Sequence, residues 1–267
     1  MDILTHTLTG VSVGMVVAGF SGKSFRKKTG IVALGGIGGA LPDLDAISLW
    51  SGFDKTFGKV FGLTAPGKDI YSSKLWYSHH GFMHSILAGL LVALIIGLMI
   101  YLLRSKLFSE MNLFKCLKMC RHCLISFVAG YVFHLLEDMP TPACVWGGVN
   151  FFWPFKSYVG GTGDIWWWNN YDIFLIVAGV TVINGFLLLL GHLISYNSGK
   201  ILSMVFVVGC TLVMCQIKTR GFDFDYSGHT ARYQEFEGQS MEIQKRILGE
   251  RVYGWMNALD KGLKVNF

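Results

Sequence analysis

His6, His79, His80, His84 and His134, with Asp43, Asp45 and Asp138, are the residues of this 267-residue chain whose types and spacing could do chemistry. Imidazoles and carboxylates without thiolates are what Zn²⁺, Mn²⁺ or Fe²⁺ take, and a mixed nitrogen and oxygen set leans toward a hydrolytic centre over a structural zinc. His134 and Asp138 stand at i and i+4, so one helix can turn both toward one ion. His80 and His84 share that spacing if their segment is helical, and Gly81 between them permits a tight backbone approach. In Leu41-Pro42-Asp43-Leu44-Asp45 the proline interrupts a helix. Residues two apart do not share a helix face, so a turned segment is needed to aim both carboxylates inward. Taken singly, each histidine reads as a satisfied core side chain. Taken together, the set reads as a metal centre.

Composition says what must position these groups. Apolar residues make up 52% of the chain and charged residues 15%, against roughly 25% charged in soluble domains. Six stretches, residues 3–20, 29–49, 83–103, 123–136, 173–194 and 201–217, approach the length of about 20 residues that crosses a bilayer as a helix. The expected fold is therefore all-α, a polytopic membrane helical bundle of about six spans. Residues 1–217 form the transmembrane domain, and residues 218–267 form a more charged tail. Within the tail, residues 240–259 show apolar positions at helical spacing, as in a surface helix. No cleavable signal peptide is read at the start, because Met1 and Asp2 lead into the first apolar run without a basic segment. The six Cys lie in or beside spans and read as buried thiols, not a disulfide framework.

Orientation follows from basic residues in short loops. Lys23, Arg26, Lys27 and Lys28 follow the first span, Arg104, Lys106, Lys115, Lys118 and Arg121 the third, and Lys200 the fifth; Glu110 is the one acid among them. These loops are expected in the cytoplasm, with both termini outside. His6, Asp43, Asp45, His79, His80, His84, His134, Glu137 and Asp138 then fall at the outer end of four spans. Ionisable groups at such depths are expensive and mark sites. His122, His192 and His229 fall elsewhere. Phe151, Phe152, Trp153, Phe155 and the run Trp166, Trp167, Trp168 suit the headgroup region. A metal-ion transporter or a scaffold with a structural ion would use similar ligands. A transporter, however, would hold them near the midplane or on both sides.

The motifs resemble those of the YdjM-like family of LexA-regulated, metal-dependent hydrolases of the bacterial inner membrane. The matching pieces are His6, Leu41-Pro42-Asp43-Leu44-Asp45, His79-x-Gly81-x-x-His84-Ser85, Gly130-Tyr131-x-x-His134-x-x-x-Asp138, Thr141-Pro142 and Trp153-Pro154-Phe155. Where the family usually has Arg and Thr in the third motif, this chain has His80 and Met83. A more distant similarity runs to zinc phospholipase C and the P1-type nucleases. The resemblance implies a phosphoesterase acting on a lipid or lipid-linked substrate at the periplasmic face. His6, Asp43, His79, His84, His134 and Asp138 would be metal ligands, with Asp138 able to bridge two ions, and Asp45 and His80 would act in catalysis. The implied cofactor is one or two divalent ions, Zn²⁺ first, with Mn²⁺ or Fe²⁺ as alternatives. Membrane lipids are the expected partners and nucleic acid is not.

Overall fold

A computed structural model describes residues 3–73, 78–105, 112–140, 148–160, 170–194, 198–219 and 233–262. Thr141, Pro142 and Trp166 to Trp168 lie outside the described residues. Seven long helices organise the chain: α1 (Ile3–Phe20), α2 (Phe25–Ala40), α3 (Ile86–Ser105), α4 (Leu113–Asp138), α5 (Tyr171–Leu193), α6 (Gly199–Lys218) and α7 (Tyr233–Gly262). Among the described residues the β-structure is one isolated bridge, Val149 to Val159. Five helices, α1, α3, α4, α5 and α6, are long and apolar enough to cross a membrane. Helix α2 and the 3₁₀ segment Pro42–Leu49, bent by 49° at the break, are apolar enough together to form a sixth, broken span or a re-entrant loop. This is an all-α polytopic bundle.

The bend is where the sequence asks for one, because Pro42 cannot continue the hydrogen-bond ladder of α2. Elsewhere the helix ends depart from the apolar pattern. Helix α4 begins ten residues earlier than its apolar core, at Leu113, where Asn112 caps it by accepting a 2.8 Å hydrogen bond from the Lys115 amide. Lys115, Lys118 and Arg121 therefore sit on a helix and not in a loop. The His79–Ser85 segment is not a continuous helix: His80 adopts a positive φ of 57° and a short 3₁₀ turn follows at Phe82–His84. Helix α7 covers the expected tail helix but breaks at Gly249, whose φ is 74°. The described cysteines are free thiols as expected, though Cys116 alone is buried and Cys215 is exposed.

Helices α1, α2 and α4 form the tightest packing. A Cβ on Gly38 would come closer than 3.0 Å to the carbonyl oxygen of Phe127, and one on Gly39 would do the same at the carbonyl of His6. Small residues let backbones approach this closely, which is how helices associate in lipid. Polar bonds across spans add to it: Ser126 donates to the Ile31 carbonyl at 2.7 Å, Ser12 and Thr181 pair at 2.8 Å, and Gln216 donates to Asp172 at 2.6 Å. Leu94, Leu102, Val182, Phe186 and Val207 face outward. Such a surface is a liability in water and the normal condition in a bilayer. Helix α7 docks on the start of α5, where the Tyr171 amide donates to Gln244 Oε1 at 2.9 Å and the Tyr171 hydroxyl donates to Asp260.

Candidate metal centre

Four segments meet at one end of the bundle. Helix α1 brings His6, the bent segment after α2 brings Asp43 and Asp45, the turn before α3 brings His79, His80 and His84, and α4 brings His134, Glu137 and Asp138. The turn before α3 is held by its neighbours: Tyr131 donates to the Met83 carbonyl, the His79 amide to Tyr71, and the Ile86 amide to Phe151. His6, His84 and His134 are fully buried, and His79, His80 and Asp138 nearly so.

Four of the five imidazoles are hydrogen-bonded through Nδ1, and the fifth, His84, turns the same nitrogen toward a carboxylate. His80 Nδ1 donates to the Gly148 carbonyl at 2.7 Å, and His134 Nδ1 donates to the Gly39 carbonyl at 2.7 Å. A carbonyl can only accept, so each of these rings carries its proton on Nδ1 and leaves Nε2 as a lone pair. Carboxylates hold the other three. His6 Nδ1 lies 2.7 Å from Glu137, His79 Nδ1 lies 2.8 Å from Asp45 Oδ1, and His84 Nδ1 lies 2.9 Å from Asp45 Oδ2. The last pair is close but poorly aligned as a hydrogen bond, leaving both atoms without a well-formed partner. Metal-binding histidines are oriented this way, by an acceptor on the nitrogen that does not face the ion.

The free nitrogens converge. His84 Nε2 and His134 Nε2 are 3.3 Å apart, and Asp138 Oδ2 lies 3.1 Å from His134 Nε2 and 3.6 Å from His84 Nε2. Ligand atoms on a tetrahedral Zn²⁺, each about 2.0–2.1 Å from the ion, stand about 3.3–3.4 Å apart, so this triangle has the right size. Asp43 Oδ1 lies 3.6 Å from His134 Nε2 and 3.8 Å from His84 Nε2. The other oxygen of Asp138, Oδ1, lies 3.1 Å from His6 Nε2, and Oδ2 lies 3.8 Å from His80 Nε2. One carboxylate thus faces imidazoles on both sides.

Three overlapping groups have metal-binding geometry: His84, His134 and Asp138; His6, Asp43 and His134; and His79, His80 and His84. Because one Nε2 serves one ion, the first group suits a single ion, while the other two share no residue and suit a pair with Asp138 between them. The arrangement gives Asp45 a positioning role, since its two oxygens face His79 and His84. Glu137 orients His6 and accepts a second bond from Thr9, a role that its place beside Asp138 did not reveal.

His80 and His84 lie outside the spans and differ electrostatically. Burial and the neighbouring His79 and His84 push the pKa of His80 well below its ordinary value, so this ring is neutral. Burial, the largest single effect, opposes protonation of His84, but Asp45, Asp43 and Asp138 together outweigh it and raise its pKa to about 10. In the metal-free protein His84 therefore contributes stability that is fully present below about pH 6.5 and is lost as pH rises through about 10. Asp45→Asn is expected to keep the fold and to weaken metal binding by about 10–100-fold, the usual cost of a lost orienting group. Competition with a chelating dye measures this, and an unchanged affinity would remove Asp45 from that role.

A family model described as YdjM inner membrane protein matches residues 1–222. Searches of curated proteins and of solved structures returned no match.

Proposed function

The chain belongs to the YdjM inner membrane protein family, and on that footing we propose that it is a membrane-bound, metal-dependent hydrolase of phosphoester bonds in a lipid or lipid-linked substrate. It is a multi-pass inner-membrane protein. The observation that carries the reading is that four imidazoles are hydrogen-bonded through Nδ1 and the fifth, His84, has its Nδ1 against Asp45, around a cluster of facing donor atoms. A core that merely satisfied its histidines would have no reason to bring the Nε2 atoms of His6, His80, His84 and His134 around Asp138.

The donor set fits Zn²⁺, with Mn²⁺ or Fe²⁺ also suited to imidazole and carboxylate. His84, His134, Asp43 and Asp138 would hold one ion; with two, His6, Asp43 and His134 would hold one, His79, His80 and His84 the other, and Asp138 would lie between. A divalent ion bound there polarises a phosphoryl oxygen and neutralises the charge that develops on it. Asp45 fixes the rings of His79 and His84, and Glu137 fixes His6, so the donors need no reorganisation as charge develops. Where His80 is not a ligand, its neutral Nε2 is placed to take a proton from the attacking water. A lipid substrate is supported by the site's place at the span ends and by outward-facing Trp50, Phe152 and Phe155 near it in the chain. The positive-inside pattern supports a periplasmic setting for this end, with both termini outside and the tail after residue 217 beside it.

Acid should weaken metal binding, because an ion must displace the proton that His84 otherwise holds. The expected slope is about tenfold per pH unit for each proton displaced. Calorimetry between roughly pH 6 and 9 reads it, and a flat affinity would contradict the assignment of His84 as a ligand.

The function is tested with purified, metal-loaded protein in vesicles and a panel of phospholipids and soluble phosphoesters. Turnover that is lost with a chelator and in His134→Ala is expected. No turnover across the panel, together with flux of the same ion across the vesicle wall, would replace the hydrolase with a transporter. What weighs against transport is that, among the described residues, all three metal-competent groups share one end of the bundle.

A further inference from the structure

A cleft of about 280 Å³ lies beside the metal centre, with walls from α1, α4, α5 and α6. Its lining is almost wholly apolar. Along α6 it runs from Phe206 to Ile217, which at 1.5 Å per residue is roughly 16 Å of membrane depth.

Two features make this more than a packing gap. Leu136 of α4 and Met214 of α6 both line the cleft and are both exposed on the outer surface of the bundle, so it opens toward lipid between these helices. Deeper in, Phe133 and Phe206 meet edge to face with ring centroids 5.0 Å apart, closing the floor. The polar part of the lining includes Thr9 and Glu137. Glu137 holds His6 at 2.7 Å, and His6 in turn faces Asp138 at 3.1 Å. An elongated apolar slot that opens sideways to the bilayer and ends against the residues that orient metal ligands has the shape and chemistry of a seat for a hydrocarbon tail.

We propose that this cleft takes one hydrocarbon chain of the lipid whose phosphoester lies at the metal centre. The proposal rests on the hydrolase reading and adds to it a route of entry, between α4 and α6, and a depth limit set by Phe133 and Phe206. Chain length is then a property the protein reads, and the exposed leucines of α3 are ordinary lipid-facing surface.

The test uses the full chain in vesicles of phosphatidylethanolamine and phosphatidylglycerol, with two photoactivatable probes. One is phosphatidylglycerol with a diazirine on its acyl chain; the other is diacylglycerol with the same chain and no phosphate. Phosphatidylglycerol adducts are expected on Phe133, Phe206 and Met214. They should fall roughly tenfold in Cys210→Trp, which fills the cleft, and in Met214→Trp, which blocks its exposed rim. Bound metal per chain should be unchanged in both variants, which shows that the centre is still assembled. Adducts spread equally over Leu94 and Leu102 of α3 and unaffected by either substitution would overturn the proposal. Equal cleft labelling by diacylglycerol would overturn it too, since the cleft would then hold a resident lipid. Phosphate-dependent labelling without turnover of any phosphoester removes the hydrolase and supports the chain seat. Turnover of a soluble phosphoester with an unlabelled cleft removes the chain seat alone.

Discussion

Asp138→Ala is expected to strip the protein of its metal, with apparent affinity falling by about 10²–10³-fold. That is about one ligand's share of the roughly 10–16 kcal/mol by which a four-ligand zinc site binds. Asp138 is the most connected carboxylate of the centre: one oxygen faces His6, and the other faces His134, His84 and His80. Asp43 faces the same nitrogens of His134 and His84 but is already counted among the ligands, so it cannot stand in for Asp138. Glu137 points the other way, to His6 Nδ1 and Thr9, and Asp45 is held between His79 and His84. The loss is read as metal per chain after dialysis against a weak chelator, with the unfolding midpoint as a control for the fold. A variant that retains its metal would remove Asp138 from the centre.

The second large effect concerns the scaffold. Gly38→Ala adds one methyl group where α2 meets α4, closer than 3.0 Å to the carbonyl oxygen of Phe127. The obstacle is backbone, so no side chain can rotate away, and the two helices must separate. Overpacking of this kind costs about 3 kcal/mol or more, which lowers the unfolding midpoint by roughly 6–12 °C in a chain of this size. Metal binding should weaken with it, because the His134 ring is anchored on the carbonyl of Gly39, the next residue. Gly30 on the same helix is the control, since a Cβ there meets nothing within 4 Å. Gly30→Ala should be neutral or stabilising by up to about 1 kcal/mol through helix propensity. Equal effects at the two positions would contradict the close approach of α2 to α4.

Much of the centre was legible because charge in an apolar segment stands out. His6, Asp43, His84, His134 and Asp138 are conspicuous against the spans that carry them, and Pro42 marks where the chain must turn to aim Asp43 and Asp45. The anchors were not legible for a physical reason. Two of the five imidazoles are fixed by backbone carbonyls, at Gly39 and Gly148, and every residue has a carbonyl; which one is within reach depends on how the helices cross. Glu137 was visible as an ionisable neighbour, yet its direction depends on the packing of α4 against α1. The helical spacing of His80 and His84 suggested a regular turn, but the positive φ of His80 and the 3₁₀ turn that follows supply a different path. Helix α4 outran its apolar segment because a cap at Asn112 and three basic residues can extend a helix beyond the hydrocarbon. The cleft left no trace in the pattern, since an apolar residue that lines a slot and one that faces lipid look alike.

X-ray absorption of the metal-loaded protein is the measurement that bears most directly on the centre. One or two zinc ions per chain are expected, with a first shell of nitrogen and oxygen alone at about 2.0–2.1 Å and the outer scattering of several imidazoles. A sulfur shell at about 2.3 Å would place the ion on cysteines, and a protein that holds no divalent metal at all would leave the clustered histidines without the ion they are proposed to bind.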